Sequence, residues 1–366
     1  MSSSAGIHLV RTAENVAEIE ALAGLVGGRA GLAAMLDDLD RQGRRALAPG
    51  LAVHRAWTWD RADRRDRRWW PQGVSTSADA AGSTGDGQVA GRSVVAVAWY
   101  ARKLPGEAAG QGSRVSFFDL DSRRYRHVLL VVPRLRDGQL GVEPLRVHAG
   151  GIVWAGPHLH VAATTRGLMT CRLEDLMQVP ASALGDDRTL GVDGDRVSSF
   201  GYRWVLPVRF AYRSVTDDGL QGLRYSFASL DRAADPPALL VGEYGRRRQT
   251  TRLARFPLDE ESGLLATDED GRSSALALHD GGVTHSQGVA VAAGHHYVTV
   301  SRGTRTPGSV YVGAPGAFRE LRWAVPMGPE DIAFWPARDQ LFTATEHPRR
   351  RWIVAMRRSR FDRLLP

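Results

Sequence analysis

The sequence predicts an all-β protein, a five-bladed β-propeller closed by an N-terminal strand and carrying an N-terminal helical extension. Three observations predict it. The stretch HSQGVAVAAGHHYVTVSRG (285–303) has a near-twin in HAGGIVWAGPHLHVAATTRG (148–167). After Pro49, short β-branched and aromatic runs alternate with Gly, Asp and Pro turns to the end of the chain, the grammar of antiparallel strands. The twins also have weaker copies, and repetition of one supersecondary unit signals a radial or stacked array.

The copies begin at PQGVSTSADA, HAGGIVWAG, QGLRYSFASL, HSQGVAVAAG and PEDIAFWP, which aligns Gly73, Gly151, Gly222, Gly288 and Asp331. Second strands follow in VVAVAWYAR, LHVAATTRG, ALLVGEYG, HYVTVSRG and LFTATEHP, and third strands in RVSFFDLD, LMTCRLED, RLARFPLD, SVYVGAPG and WIVAMRRS. Fourth strands are legible in YRHVLLVV and ELRWAV. The last unit lacks one. An open sheet edge is a liability, so LAVHRAWTW (51–59) is assigned as the strand that closes it. Residues 12–47 carry Ala, Leu and Glu at helical spacing, broken at Gly27-Gly28, and Thr12 with Asn15 makes a poor capping box. The division is therefore 1–48 as a helical extension and 49–366 as the propeller. The extension is expected to pack on the body. CRLEDLMQVPASAL reads as a single helical turn, and the Gly/Asp-rich stretches 80–92, 104–113 and 178–200 as loops at blade edges.

The chain has 366 residues, with 48 Lys+Arg against 40 Asp+Glu. The arginines are interspersed with acids, as in WDRADRRDRRWW, which reads as a solvated mixed-charge surface; a nucleic-acid partner is not expected. The single Cys171 excludes an internal disulfide framework. The start has no basic segment followed by an apolar run, and nowhere is there an apolar run of membrane-spanning length. A cytoplasmic location and no membrane partner are expected.

The motifs RWWPQGVSTSADA, VHAGGIVWAGPHLHVA, SQGVAV and GPEDIAFWP resemble a family of actinobacterial β-propeller proteins, mostly secreted and of undefined activity. The resemblance spans roughly residues 55–366. It implies the fold and names no chemistry. This chain departs from the family in its single cysteine and in its start, which lacks an export signal.

In a propeller, the starts of first strands and the ends of second strands converge at one axial mouth. Here those positions supply Trp70, Gln72, His148, Gln221, His285, Gln287, Glu330 and Asp331, together with Trp99, Tyr100, Arg166, Glu243, Tyr244, Arg302, Glu346 and His347. An aromatic-walled funnel with convergent polar groups suits a small organic molecule. His148 or His285 would serve as base, with Glu243, Glu330 or Glu346 as acid or orienting group. Gln72, Trp99, Tyr100, Arg166, Tyr244, Gln287, Arg302 and His347 would bind substrate, the arginines holding an anion or oxyanion. Proton transfer of lyase, cyclase or isomerase type fits this set, and no redox cofactor is expected. His148, His285 and Glu330 could instead hold a divalent metal ion. The alternatives are a non-catalytic binding module or a protein scaffold whose polar groups satisfy one another. His158, His160, His295 and His296 read as hairpin polar groups on the opposite face. Asp119, Asp121 and Asp259 read as turn-satisfying acids, Cys171 as a small strand residue, and the arginines at 246–248 and 349–351 as solvated charge.

Overall fold

A computed structural model describes residues 6–80, 85–107, 109–181, 188–246 and 249–365. The chain is mostly strand, in antiparallel meanders packed side by side in a propeller-like arrangement. One meander runs Trp69–Thr76, Val94–Ala101, Ser113–Asp119 and Arg124–Arg136. The next runs Ile152–Ala155, His158–Ala162, Leu168–Arg172 and Trp204–Thr216. Their long outer strands run parallel where Val205, Leu206 and Pro207 face Leu129, Leu130 and Val131, which joins the two meanders in one sheet. Two four-stranded sheets follow, beginning at Phe227–Asp231 and Ser286–Ala292. The last sheet begins at Pro329–Trp335. Its third strand, Ile353–Arg357, pairs antiparallel with Val53–Thr58, setting Ile353 opposite Trp57.

The first strands of these sheets meet backbone to backbone. A Cβ added at Gly73 would lie 2.7 Å from the Gly151 carbonyl carbon, one at Gly151 2.0 Å from the Ala228 amide nitrogen, and one at Gly288 2.5 Å from the Asp331 Cα. Any side chain there would force neighbouring sheets apart. This contact also corrects the repeat register. Ala228, and not Gly222, occupies the equivalent place in the third unit; Gly222 lies in the preceding loop, where its carbonyl accepts from Arg252. The approach needs only a small residue, so alignment on glycine alone misplaced this unit.

The N-terminal part is less helical than the spacing suggests. Ile7–Arg11 is a strand that pairs with both Trp204–Thr216 and Arg272–Ser274, burying Ile7 and Leu9. Helices form only at Val16–Val26 and Gly31–Asp37. The first buries Ile19, Leu22, Ala23 and Val26 against the body, as expected of an amphipathic stripe. Asn15 makes no side-chain cap; its Nδ2 donates to the Val208 carbonyl at 3.0 Å. Residues 41–42 and 44–45 form short strand edges instead of helix. DLDRQGRR offers a helix no apolar face, and pairing with strands already in place satisfies its backbone. The turn expected in CRLEDLMQ is the short 3₁₀ segment Leu173–Asp175. The stretch 178–200 contains a hairpin of Leu190–Asp193 with Arg196–Ser199. No single described helix is long and apolar enough to cross a membrane.

Candidate functional site

The starts of first strands and ends of second strands bring together a group centred on two glutamates. Gln72 Nε2 donates to Glu346 Oε2 at 3.3 Å, and His347 Nδ1 lies 3.4 Å from Glu346 Oε1. Gln287 Nε2 donates to Glu330 Oε1 at 3.4 Å. Thr299 Oγ1 donates to the Glu330 carbonyl at 2.7 Å, fixing that backbone. Around them stand two aromatic–imidazole pairs: Tyr100 with His148 at 4.5 Å between ring centroids, and Tyr244 with His285 at 5.5 Å. Both imidazoles are exposed, whereas Glu330 and Gln72 are buried.

Burial dominates the electrostatics of the group. Burial pushes Glu330 well above the carboxylate range, and the neighbouring Glu346 and Asp331 add to the shift. Burial raises Glu346 to about 7, outweighing Arg102, Gln72 and Arg351. Asp331, wholly buried, is raised by burial as well; its Oδ2 accepts from the Val74 amide of the neighbouring sheet at 3.1 Å. Its Oδ1 has no hydrogen-bond partner among the described residues. Tyr100 and Tyr244 are raised chiefly by burial, with Glu330 and Glu346 contributing to both. These shared influences tie the two tyrosines to one cluster.

Two members escaped the sequence reading. Arg102 stacks over the Trp70 ring, its Cζ 3.3 Å from the centroid, and its Nε donates to Tyr100 Oη at 3.0 Å. Arg351 is fully buried, and its Nε donates to the Glu346 carbonyl at 2.8 Å. The run RRR at 349–351 looks like solvated charge in the sequence, but Arg351 is turned inward. Arg102 lies just past the end of Val94–Ala101, two residues beyond Tyr100.

Other expected members lie elsewhere. Glu243 is locked by Arg252, whose Nη2 donates to Oε1 at 2.8 Å, and by the amides of Arg224 and Arg252. Burial raises its carboxyl, but these contacts outweigh it and leave it below the usual range. Trp99 points between sheets, 4.8 Å from the Trp59 ring, because alternation along its strand turns it away from the Tyr100 side. Arg166 donates to the Arg146 carbonyl, and Arg302 binds Tyr311 Oη and Glu320 within its own sheet. Gln221 is exposed, and its carbonyl accepts from Arg252. For the metal reading, the structure puts His148 on Tyr100, His285 on Tyr244 and Glu330 on Gln287. Among the described residues no group of three or more His, Cys, Asp or Glu could hold a metal ion.

Asp119 and Asp259 accept from turn amides at Asp121 and Ser262. Cys171 is buried in its strand. His160, read as a hairpin polar group, is fully buried, bonded to Thr170 Oγ1 at 2.9 Å and the Gly263 carbonyl at 2.8 Å. Arg247 and Arg248 lie outside the described residues.

A second polar cluster sits between the last sheet and the first. Asp63 accepts from Tyr125 Oη at 2.5 Å, His127 Nε2 at 2.8 Å, Arg114 at 3.1 Å and Arg41 at 3.2 Å. Ser116 Oγ lies 2.7 Å from His127 Nδ1. This is a Ser–His–Asp chain, but Ser116 is wholly buried and no substrate can reach it. It holds sheets together.

No family model matches the chain, and no curated protein does. Among solved structures, it is similar to a gluconolactonase from Xanthomonas campestris, with 13% identity, TM-score 0.35, and 87% of this chain covering 85% of that one. It is also similar to the β-propeller domain of Cps50 (Swd1) from Myceliophteria thermophila, with 13% identity, TM-score 0.36, and coverages of 80% and 98%. A third is a GH43_1 enzyme from Xanthomonas citri in complex with xylotriose, with 12% identity, TM-score 0.32, and coverages of 80% and 88%. Likenesses this distant carry no argument about chemistry.

Proposed function

We propose that the chain is a cytoplasmic five-bladed β-propeller, closed by residues 51–59, that binds a small organic molecule at one axial mouth and acts on it by proton transfer. Support for the ring comes from the first-strand contacts at Gly73, Gly151, Ala228, Gly288 and Asp331, and from the pairing of Val53–Thr58 with the last sheet. The observation that carries the chemistry is Glu346. It is a partly exposed carboxyl raised to about 7, beside a second, more deeply buried one. A group that titrates near neutrality both gives and takes a proton readily. On this reading Glu346 is the acid/base. Glu330 stays protonated and orients, while Gln72 and Gln287 fix both carboxyls. Trp70 with Arg102, Tyr100 and Tyr244 wall the substrate, and His148 and His285 stand at the rim as second proton carriers. The reaction is of lyase, cyclase or isomerase type and needs no redox cofactor.

The burial of Glu330 and Asp331 favours a second reading, in which the acids only fill the hub and the rim binds a ligand without chemistry. One experiment separates them. Small hydroxy acids, keto acids, sugars and lactones are incubated with the protein in deuterium oxide and followed by proton NMR. Proton-transfer chemistry exchanges a carbon-bound hydrogen in at least one compound, and E346Q abolishes the exchange. Line broadening without exchange supports the binding module. Equal exchange by E346Q removes Glu346 from the mechanism.

A further inference from the structure

Away from the hub, a groove of about 820 Å³ opens where the two long parallel strands part. Their pairing ends at Pro207 and Val131. Beyond that point Arg124–Arg136 turns into a hairpin with Gln139–Pro144, while Trp204–Thr216 takes up Ile7–Arg11 as its neighbour. The segment just after Ile7–Arg11 stays tied to the same strand: Thr12 and Asn15 amides donate to the carbonyls of Ala211 and Arg209. The groove therefore has one wall from each of the two meanders.

Its lining is chemically one-sided. Val132 and Met169 supply half-buried apolar surface over the buried Leu145, Val208 and Phe210, and Arg11, Arg134, Arg166 and Arg213 supply charge; no lining residue is acidic. Arg11 lies over the Phe210 ring at 4.3 Å and pairs with Glu14. Arg134 and Arg213 are exposed and make no ion pair with any described residue. Other arginines on this molecule are matched with acids, as at Arg29, Arg92, Arg209 and Arg358. Cations left unmatched around an apolar floor repel one another and hold a site for a counter-charge.

We infer that this groove binds an organic anion with an apolar body, the body lying on Val132 and Met169 and the charged end held by Arg134 and Arg213. A fully solvated polyanion would use the arginines but not the floor. An uncharged lipid would use the floor but not the arginines. The site shares no residue with the Glu346 cluster, so its fate is independent of the proposed chemistry.

The test uses the full chain with anilinonaphthalene sulfonate as the anionic probe and phenylnaphthylamine as its uncharged counterpart, read by fluorescence titration. The wild type should bind the sulfonate saturably and the amine about ten-fold more weakly or less, one charged contact's worth of affinity. Arg134→Glu/Arg213→Glu should lose sulfonate binding by at least that factor while its melting temperature stays unchanged. Equal binding of the two dyes, or unchanged sulfonate binding by the double variant, overturns the inference. So does displacement of the dye by a short single-stranded oligonucleotide at lower concentration than by dodecanoate, which would make the site a polyanion track.

Discussion

Two buried acid clusters in this molecule sit close in space and behave in opposite ways. Asp63 is surrounded by donors of opposite or neutral character: Arg114, Arg41, His127 and Tyr125. Burial alone would raise its carboxyl, but His127 and Arg114 outweigh burial and hold it well below the usual range. His127 is pushed down to about 4 by burial and Arg114, so it stays neutral, with Nε2–H donating to Asp63 and Nδ1 accepting from Ser116. Around Glu330, Asp331 and Glu346 burial outweighs every partner and raises each carboxyl, and at Glu330 the neighbouring Glu346 and Asp331 add to the rise. A saturated mixed-charge network fixes structure, whereas under-matched like charges leave protons to be moved. The difference is what marks the second cluster as the site, although the first has the more familiar residue names.

Four variants test this contrast, beginning with the largest effect. Asp63→Ala strips the shared partner from Arg114, Arg41, His127 and Tyr125, and chemical denaturation should show a loss of about 3–5 kcal/mol, the usual cost of breaking a buried ion pair. A loss below about 1 kcal/mol would mean that water replaces the carboxylate and the cluster is no clamp. Glu346→Gln should change the pH dependence of stability more than its value in acid. Folding raises this carboxyl from 4.5 to about 7, so the wild type's advantage is complete below the unfolded value and is lost as pH climbs through the folded one. The variant should therefore gain on the wild type between about pH 5 and pH 8, by up to roughly 3 kcal/mol. Parallel curves would show that Glu346 titrates like an ordinary surface acid. His148→Ala and His285→Ala should each shift stability by less than about 0.5 kcal/mol, since both rings are exposed and rest on one tyrosine face. The same pair should abolish ligand binding at the mouth; a large fall in melting temperature instead would assign them to structure.

The strands were legible because alternation and turn residues are local signals. The placing of Trp70, Gln72, His148, His285, Gln287, Glu330 and Glu346 near first-strand starts and second-strand ends followed from repetition alone. Register was not legible in the third unit, where Ala228 serves as well as glycine. Side-chain direction was not legible at Trp99, which sits one residue from Tyr100 and therefore on the other face. Partner choice was not legible for Glu243 and Arg302, because Arg252 and Glu320 lie across strand pairs that only folding creates. Asp63 was hidden within WDRADRRDRR, which looks like solvated surface until Arg114, Tyr125 and His127 close over it.

By itself, then, the sequence determined most strands of the meanders after Pro49 and which chemical types stand near their ends, since these depend on neighbours along the chain. Tertiary structure alone decided which acids meet a cation and which meet another acid. That choice depends on distances between residues hundreds of positions apart, such as Gln72 and Glu346, and through burial it sets which carboxyls keep their protons.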